Sequence, residues 1–335
     1  MIKVALLSRW HVHADDYARQ IQNNDDLSIQ LVWDEDAERG KKWADKLEVP
    51  FESDLQKVVT SPLIDAVVVN TPTNLHKEVI LLAAENKKHI FTEKVLAFTV
   101  KDSEEIYDAV DKHEVELMVS LPRLTEDYFL YSQKVMDNGW IGKLTTIRCR
   151  LAHNGAVANM GESEGWLPKR FFDKEQCGGG SLIDLGAHPI YLTNRLAGKV
   201  KALDARMQHT NNLGVDDNAF VLLEYESGAM GIVETSFLSQ GSPFQLELYG
   251  TEGTLLIEDE QIRIKSQLLG KHEWSSPDEP LEVLPLPMEQ WVASIKNKIV
   301  PTIQRSDVIN LTLINELAVK SDKEGIWINV SDSES

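Results

Sequence analysis

The sequence predicts two folds in series: an α/β half built on a parallel sheet covered on both faces, then an α+β half with a large, mostly antiparallel sheet. Three observations carry this. Over the first 120 residues strand-like and helix-like segments alternate, and the strand runs are continuously apolar, as strands buried on both faces are. From Val200 to Lys265 the strand-like runs follow one another at hairpin spacing, divided by turn residues such as Ser227-Gly228 and Thr251-Glu252-Gly253. The length of 335 residues suits two domains of roughly 150 residues each, and the change of character at Leu121-Pro122 divides the chain into 1–121 and 122–335.

In the first half Val4–Leu7, Leu27–Trp33, Ile64–Asn70, Lys88–Phe91 and Val115–Ser120 read as strands. Asp15–Asn23 has helical spacing, with Tyr17, Ala18 and Ile21 on one side; Ala37–Leu47, Leu75–Glu85 and Val100–His113 are further helices, the last with Thr99 as its N-cap. In the second half Thr125–Asp137 reads as a helix closed by Gly139, and Thr145–Leu151 alternates as a strand does. A polar loop from His153 to Gly165 leads to Gly178-Gly179-Gly180 and one helical stretch, Ser181–Leu196. Ala219–Glu226, Met230–Phe237, Phe244–Tyr249 and Thr254–Glu258 are the hairpin strands. Residues 266–287 read as loop, and Met288–Lys298 and Val308–Ser321 as helices.

Composition narrows the function. Asp plus Glu number 53 against 34 Lys plus Arg, a net charge of −19, which disfavours general binding to nucleic acid or anionic membranes. Cys149 and Cys177 are the two cysteines, too few for a disulfide scaffold or a Cys-rich zinc module. No window approaches 18 uninterrupted apolar residues, and the N-terminal segment lacks a basic region followed by a long apolar run, so a cytoplasmic location is expected.

The first strand runs into Ser8-Arg9-Trp10-His11-Val12-His13, where a dinucleotide-binding fold places Gly-x-Gly-x-x-Gly; here Ser8, Trp10 and His13 stand for the three glycines. The following helix still offers free amides to an anion, and the Ser8 hydroxyl can donate. Leu27–Trp33 ends at Asp34, an acid suited to a ribose diol; Glu35 and Asp36 follow with no Arg beside them, which favours NAD over NADP. Asp34 could equally cap the next helix. His11 and His13 suggest a metal, but two histidines at i, i+2 make no full site without further ligands, so none is expected. Trp10 is read as lying near a cofactor, with His11 and His13 as hydrogen-bonding groups.

Three segments are more specific: Asp65-Ala66-Val67-Val68-Val69-Asn70-Thr71-Pro72-Thr73-Asn74-Leu75-His76, then His89-Ile90-Phe91-Thr92-Glu93-Lys94, and Gly178-Gly179-Gly180-Ser181-Leu182-Ile183-Asp184-Leu185-Gly186-Ala187-His188. In order and spacing, with Val215-Asp216-Asp217-Asn218 and the closing helices, the chain resembles the Gfo/Idh/MocA family of sugar and polyol dehydrogenases. The resemblance implies an N-terminal Rossmann domain, a C-terminal open-faced sheet whose faces pair into homodimers or homotetramers, and NAD(P)-dependent hydride transfer at a carbon of a sugar, sugar acid or inositol-like polyol. It places the Glu-Lys-Pro motif on Glu93-Lys94, with Val95 for Pro, and the Asp-x-x-x-His motif on Asp184 and His188; Tyr191 stands where many inositol-type relatives carry Asp. It also puts Asn70, Thr71 and His76 along the cofactor with Glu93, although that loop could be merely a turn and cap.

These residue types suit the chemistry. His188 can accept a hydroxyl proton near neutral pH, and Asp184, four residues earlier on one helix face, can orient it or bind substrate hydroxyls. Lys94, past a strand's C-terminal end, can stabilise a developing alkoxide. Arg123, His153, Trp166 and Arg170 are substrate-side candidates, Trp166 either as a sugar-stacking ring or as plain packing. The expected activity is that of an NAD-dependent oxidoreductase on a secondary alcohol. The alternatives are a non-catalytic NAD or sugar sensor, and a lyase or hydrolase that uses tightly held NAD for transient oxidation.

Overall fold

The computed structural model describes residues 1–333 apart from 159, 162, 260 and 279. Two compact units emerge: Met1–Leu121 with Pro285–Arg305, and Pro122–Leu284 with the remaining C-terminal residues. No helix among the described residues is long and apolar enough to cross a membrane.

The first unit runs β1 (Ile2–Leu7), α1 (Ala14–Gln22), β2 (Leu27–Trp33), α2 (Ala37–Leu47), α3 (Leu55–Thr60), β3 (Ala66–Val69), α4 (Thr73–Glu85), β4 (His89–Thr92), α5 (Val100–His113) and β5 (Leu117–Val119). The strands form one parallel sheet in the order β2-β1-β3-β4-β5. All four residues of β3 are fully buried, and a buried Val contributes about 1.5–3 kcal/mol over an exposed one. Helix α1 buries Ala14, Tyr17, Ala18 and Ile21, the helical spacing that the sequence shows. Thr99 caps α5 by accepting from the Asp102 amide. The strand order reverses between β1 and β3, so their C-terminal ends mark the crevice where open α/β sheets hold ligands.

The second unit continues with α6 (Asp127–Asp137), β6 (Leu144–Ala152), α7 (Lys174–Cys177), α8 (Ser181–Asp184), α9 (Ala187–Ala197), β7 (Val200–Gln208), β8 (Asn218–Tyr225), β9 (Met230–Ser236), β10 (Gln245–Gly250), β11 (Gly253–Glu258), β12 (Gln261–Ser266) and β13 (Lys271–Ser275). The chain closes with α10 (Pro287–Asn297), α11 (Arg305–Glu324) and β14 (Ile328–Asn329). Nine strands pair in the order β13-β12-β11-β10-β6-β9-β8-β7-β14, antiparallel except β6 with β9. One face is buried, with Val221, Leu223, Val233 and Cys149 inside; the other presents Phe220, Leu222, Met230 and Tyr249 beside an Arg148–Glu234–Glu247 ion network.

Two readings of the sequence change. Residues 271–275, read as loop, add a strand on β12. Pro285–Arg305 returns to the first unit, because Trp291 of α10 is buried with its ring 5.7 Å from Phe91 of β4.

Candidate functional site

The turn after β1 keeps a glycine-like backbone without glycine: Ser8 sits at φ 73. Its hydroxyl accepts from the Trp10 amide (3.0 Å), Asp34 accepts from the Arg9 amide (2.9 Å), and the His11 amide donates to the Asn70 carbonyl (3.1 Å). The turn is thereby tied to the C-terminal ends of β2 and β3. Trp10 is buried and so is His11, whereas His13, the residue before α1, is about half exposed.

At the end of β2 the structure corrects the sequence on two points. Asp36, not Asp34, caps α2 by accepting from the Glu38 and Arg39 amides. An arginine does lie beside the acids: Arg39 donates to Asp34 (Nε 3.0 Å, Nη2 2.5 Å), Glu35 (2.6 Å) and Ser8 Oγ (3.2 Å). Gly40 brings Arg39 there, since a Cβ at that position would lie 2.4 Å from the Phe51 ring and 2.5 Å from Asp34 Cβ. Burial, reinforced by the Asp34 charge, raises the Glu35 carboxyl above its usual range.

Beyond β3, the side-chain amide of Asn70 and the hydroxyl of Thr71 are buried with no hydrogen-bond partner among the described residues. Unsatisfied buried polar atoms are uncommon and are open to a ligand or water; Asn194 in the second unit is in the same state. His76 is occupied differently. Its Nδ1 faces the Val95 (3.0 Å) and Leu96 (3.3 Å) carbonyls and its Nε2 faces the Thr71 carbonyl (3.2 Å). Burial holds it neutral, lowered to about 4. It therefore ties two loops together.

Past β4, Glu93 is nearly inaccessible. One carboxylate oxygen accepts from the Tyr17 hydroxyl (2.5 Å) and lies 3.3 Å from His11 Nδ1, while the other accepts from the Lys94 amide (3.1 Å). Lys94 is buried, and its peptide bond to Val95 is cis.

In the second unit the glycine run meets Asp216. Its carboxylate accepts from the Gly180 amide, the Ser181 hydroxyl and the Leu182 amide, all at 2.8 Å. A Cβ at Gly180 would lie 1.9 Å from the Asp216 carbonyl oxygen, so only glycine permits this approach. The single helix expected over 181–196 is two: α8 ends at Asp184 and α9 begins at Ala187. Asp184 and His188 thus lie on two helices, joined by Leu185 and Gly186 in right-handed helical backbone. The Tyr191 hydroxyl lies 2.8 Å from His188 Nδ1 and is placed to orient the imidazole. Tyr191 is buried and also accepts from the Arg123 amide (3.4 Å).

The substrate-side candidates separate. The Arg123 guanidinium donates to Tyr128 (3.1 Å) and stacks 4.9 Å over Phe244, so it supports its own unit. His153 stacks flat on Phe237, with ring centroids 5.3 Å apart, and accepts from the Gly155 amide (3.0 Å). Trp166 is 54% exposed against His153 and is not a core residue. Arg170 is half-buried on the same segment; a cavity of about 510 Å³ there is lined by Leu167, Lys169, Phe172, Asp173 and Leu213, not by Arg170. Arg39, Tyr17 and Asp216 were missed from sequence. Asp216 stood in a segment noted for resemblance; the other two carried no local signal.

Residues 11–121 match a model described as an oxidoreductase family with an NAD-binding Rossmann fold, and residues 129–256 match the GFO/IDH/MocA C-terminal domain. The chain is 29% identical over 247 residues to 2,7-anhydro-N-acetylneuraminate hydratase of Escherichia coli K12, covering 72% of this chain and 63% of that one. It is 31% identical over 224 residues to scyllo-inositol 2-dehydrogenase (NAD(+)) of Bacillus subtilis 168, covering 65% and 59%. Both matches span less than two thirds of the relative's own length. Levoglucosan dehydrogenase in complex with NADH and levoglucosan shares the fold, with a TM-score of 0.82 at 21% identity over 98% of this chain and 99% of that one.

Proposed function

The chain belongs to the GFO/IDH/MocA oxidoreductase family, and on that premise we propose that it is an NAD-dependent enzyme moving a hydride between the nicotinamide and a secondary alcohol of a sugar, sugar acid or cyclic polyol. The supporting observation is the pair of unpartnered buried groups on Asn70 and Thr71, at the sheet's strand-order reversal and joined to the Ser8–His13 turn. The residues fit the dinucleotide. Asp34 would receive the ribose diol, the turn and the first amides of α1 the pyrophosphate, and Asn70 and Thr71 the groups that complete them.

When bound, NAD supplies the hydride acceptor. Lys94 donates a hydrogen bond to the reacting oxygen and stabilises its charge as the proton leaves. His188 takes that proton at Nε2 while Nδ1–H donates to the Tyr191 oxygen, which sets the tautomer. Asp184 orients substrate hydroxyls. Trp166 offers an exposed ring for stacking on the sugar, with His153 against it, and Arg170 on the same segment is a further substrate contact. We place the enzyme in the cytoplasm as a homodimer or homotetramer, assembled through the open sheet face around Phe220, Leu222 and Met230.

A screen of NAD reduction over aldoses, sugar acids and inositols tests the reading. NADH formation with one class supports it; NAD binding without reduction of any would favour a sensor. The hydratase among the relatives favours one second reading, transient oxidation with no net redox change, and product formation without NADH accumulation would establish it.

A further inference from the structure

We propose that His11, His13 and Glu93 form a site for one divalent transition-metal ion of the zinc class. The two histidines alone are too few, and the fold supplies the third ligand. The C-terminal end of β4 brings Glu93, 82 positions from His11 in sequence, against the turn after β1. One ligand atom from each residue lies within 4.8 Å of the others. His11 Nδ1 and Glu93 Oε1 are 3.3 Å apart. Two ligands each about 2.1 Å from a tetrahedral zinc stand about 3.4 Å apart, so this pair is already spaced for one ion.

The surroundings are those of a supported ligand set. Glu93 is held at both oxygens, by the Tyr17 hydroxyl and the Lys94 amide. The His13 ring is oriented by Asp16, 3.2 Å from its Nδ1. Such outer hydrogen bonds fix ring and carboxylate orientation in metal sites. His11 and Glu93 are buried, whereas His13 is half exposed and gives an ion a way in. Water supplies the fourth position. On ligation, bonds to the ion replace the direct His11 Nδ1–Glu93 contact and the long contact (3.3 Å) that the His13 amide makes to the same nitrogen. Two imidazoles and a carboxylate select Zn²⁺, Co²⁺ or Ni²⁺ over Mg²⁺.

The test uses the full chain, stripped with chelator and free of cofactor, so it reads the metal independently of any redox activity. Co²⁺ is titrated in and its visible d–d absorption recorded, then displaced with Zn²⁺. The expected result is one Co²⁺ per chain, unaffected by excess Mg²⁺, with affinity lowered by about tenfold or more in both His13→Ala and Glu93→Gln. His13 is half exposed and Gln keeps the carboxylate's shape, so both variants should fold; circular dichroism checks this. His209→Ala, which removes an exposed histidine elsewhere, should bind as the wild type does. Equal Co²⁺ affinity in wild type and His13→Ala, or a loss in His209→Ala matching that of the site variants, would overturn the proposal.

Discussion

The His188 imidazole and the Tyr191 hydroxyl lie 2.8 Å apart, three residues along α9 and ring edge to ring face. Tyr191 is thereby placed to orient the His188 imidazole. Replacing Tyr191 by Phe removes one hydrogen bond of about 1 kcal/mol and should lower kcat about fivefold. Without an acceptor for Nδ1–H the imidazolium is less favoured, so the acidic limb of the pH–rate profile should move to lower pH. His188→Ala should lower kcat by about 10²–10⁴ and leave NADH affinity unchanged. Steady-state kinetics over pH, with NADH fluorescence titration, checks both.

The Asp34–Arg39 pair should govern cofactor choice. With Asp34 present the guanidinium is neutralised and a 2′-phosphate meets a carboxylate. Asp34→Ser leaves Arg39 able to take that phosphate, and the ratio of kcat/KM for NADP over NAD should rise about tenfold or more. Parallel kinetics with the two cofactors measures it.

His76 makes stability depend on pH. It binds its proton at about 4 in the folded chain and near 6.5 when unfolded. Between those values the unfolded state holds more protons, so stability is full above pH 6.5 and falls as pH drops toward 4. The loss amounts to about 3 kcal/mol. His89, also lowered by burial, adds in the same direction. Urea unfolding at several pH values should show a shallower acid slope in His76→Gln than in wild type.

Asp216 satisfies three donors at the start of α8, the helix that ends on Asp184. Asp216→Ala leaves buried groups without an acceptor and should destabilise the fold by about 3 kcal/mol. Turnover should fall further than in Asp184→Asn alone. Thermal unfolding alongside kinetics separates the two effects.

Much of this was legible in the sequence because it is local. Apolar runs and turn residues mark the two sheets, and strand ends mark Asp34, Asn70 and Lys94. What escaped depends on close approach between distant segments. Arg39 follows Asp34 by five residues, but only the absence of a Cβ at Gly40 brings its helix near enough to pair. The break after Asp184 arises where α8 is anchored by an aspartate from another segment, Asp216. Trp166 was ambiguous between core and ligand because an aromatic residue alone does not report its exposure. Glu93 beside His11 needs the whole parallel sheet to be visible.

The most direct measurement is NADH formation at saturating NAD with a panel of secondary alcohols, run on wild type, Lys94→Ala and His188→Ala. Turnover with a sugar, sugar acid or polyol is expected in wild type and its loss in both variants, with NADH still bound. Undiminished turnover in the two variants, or failure of the wild type to bind NADH at all, would contradict it.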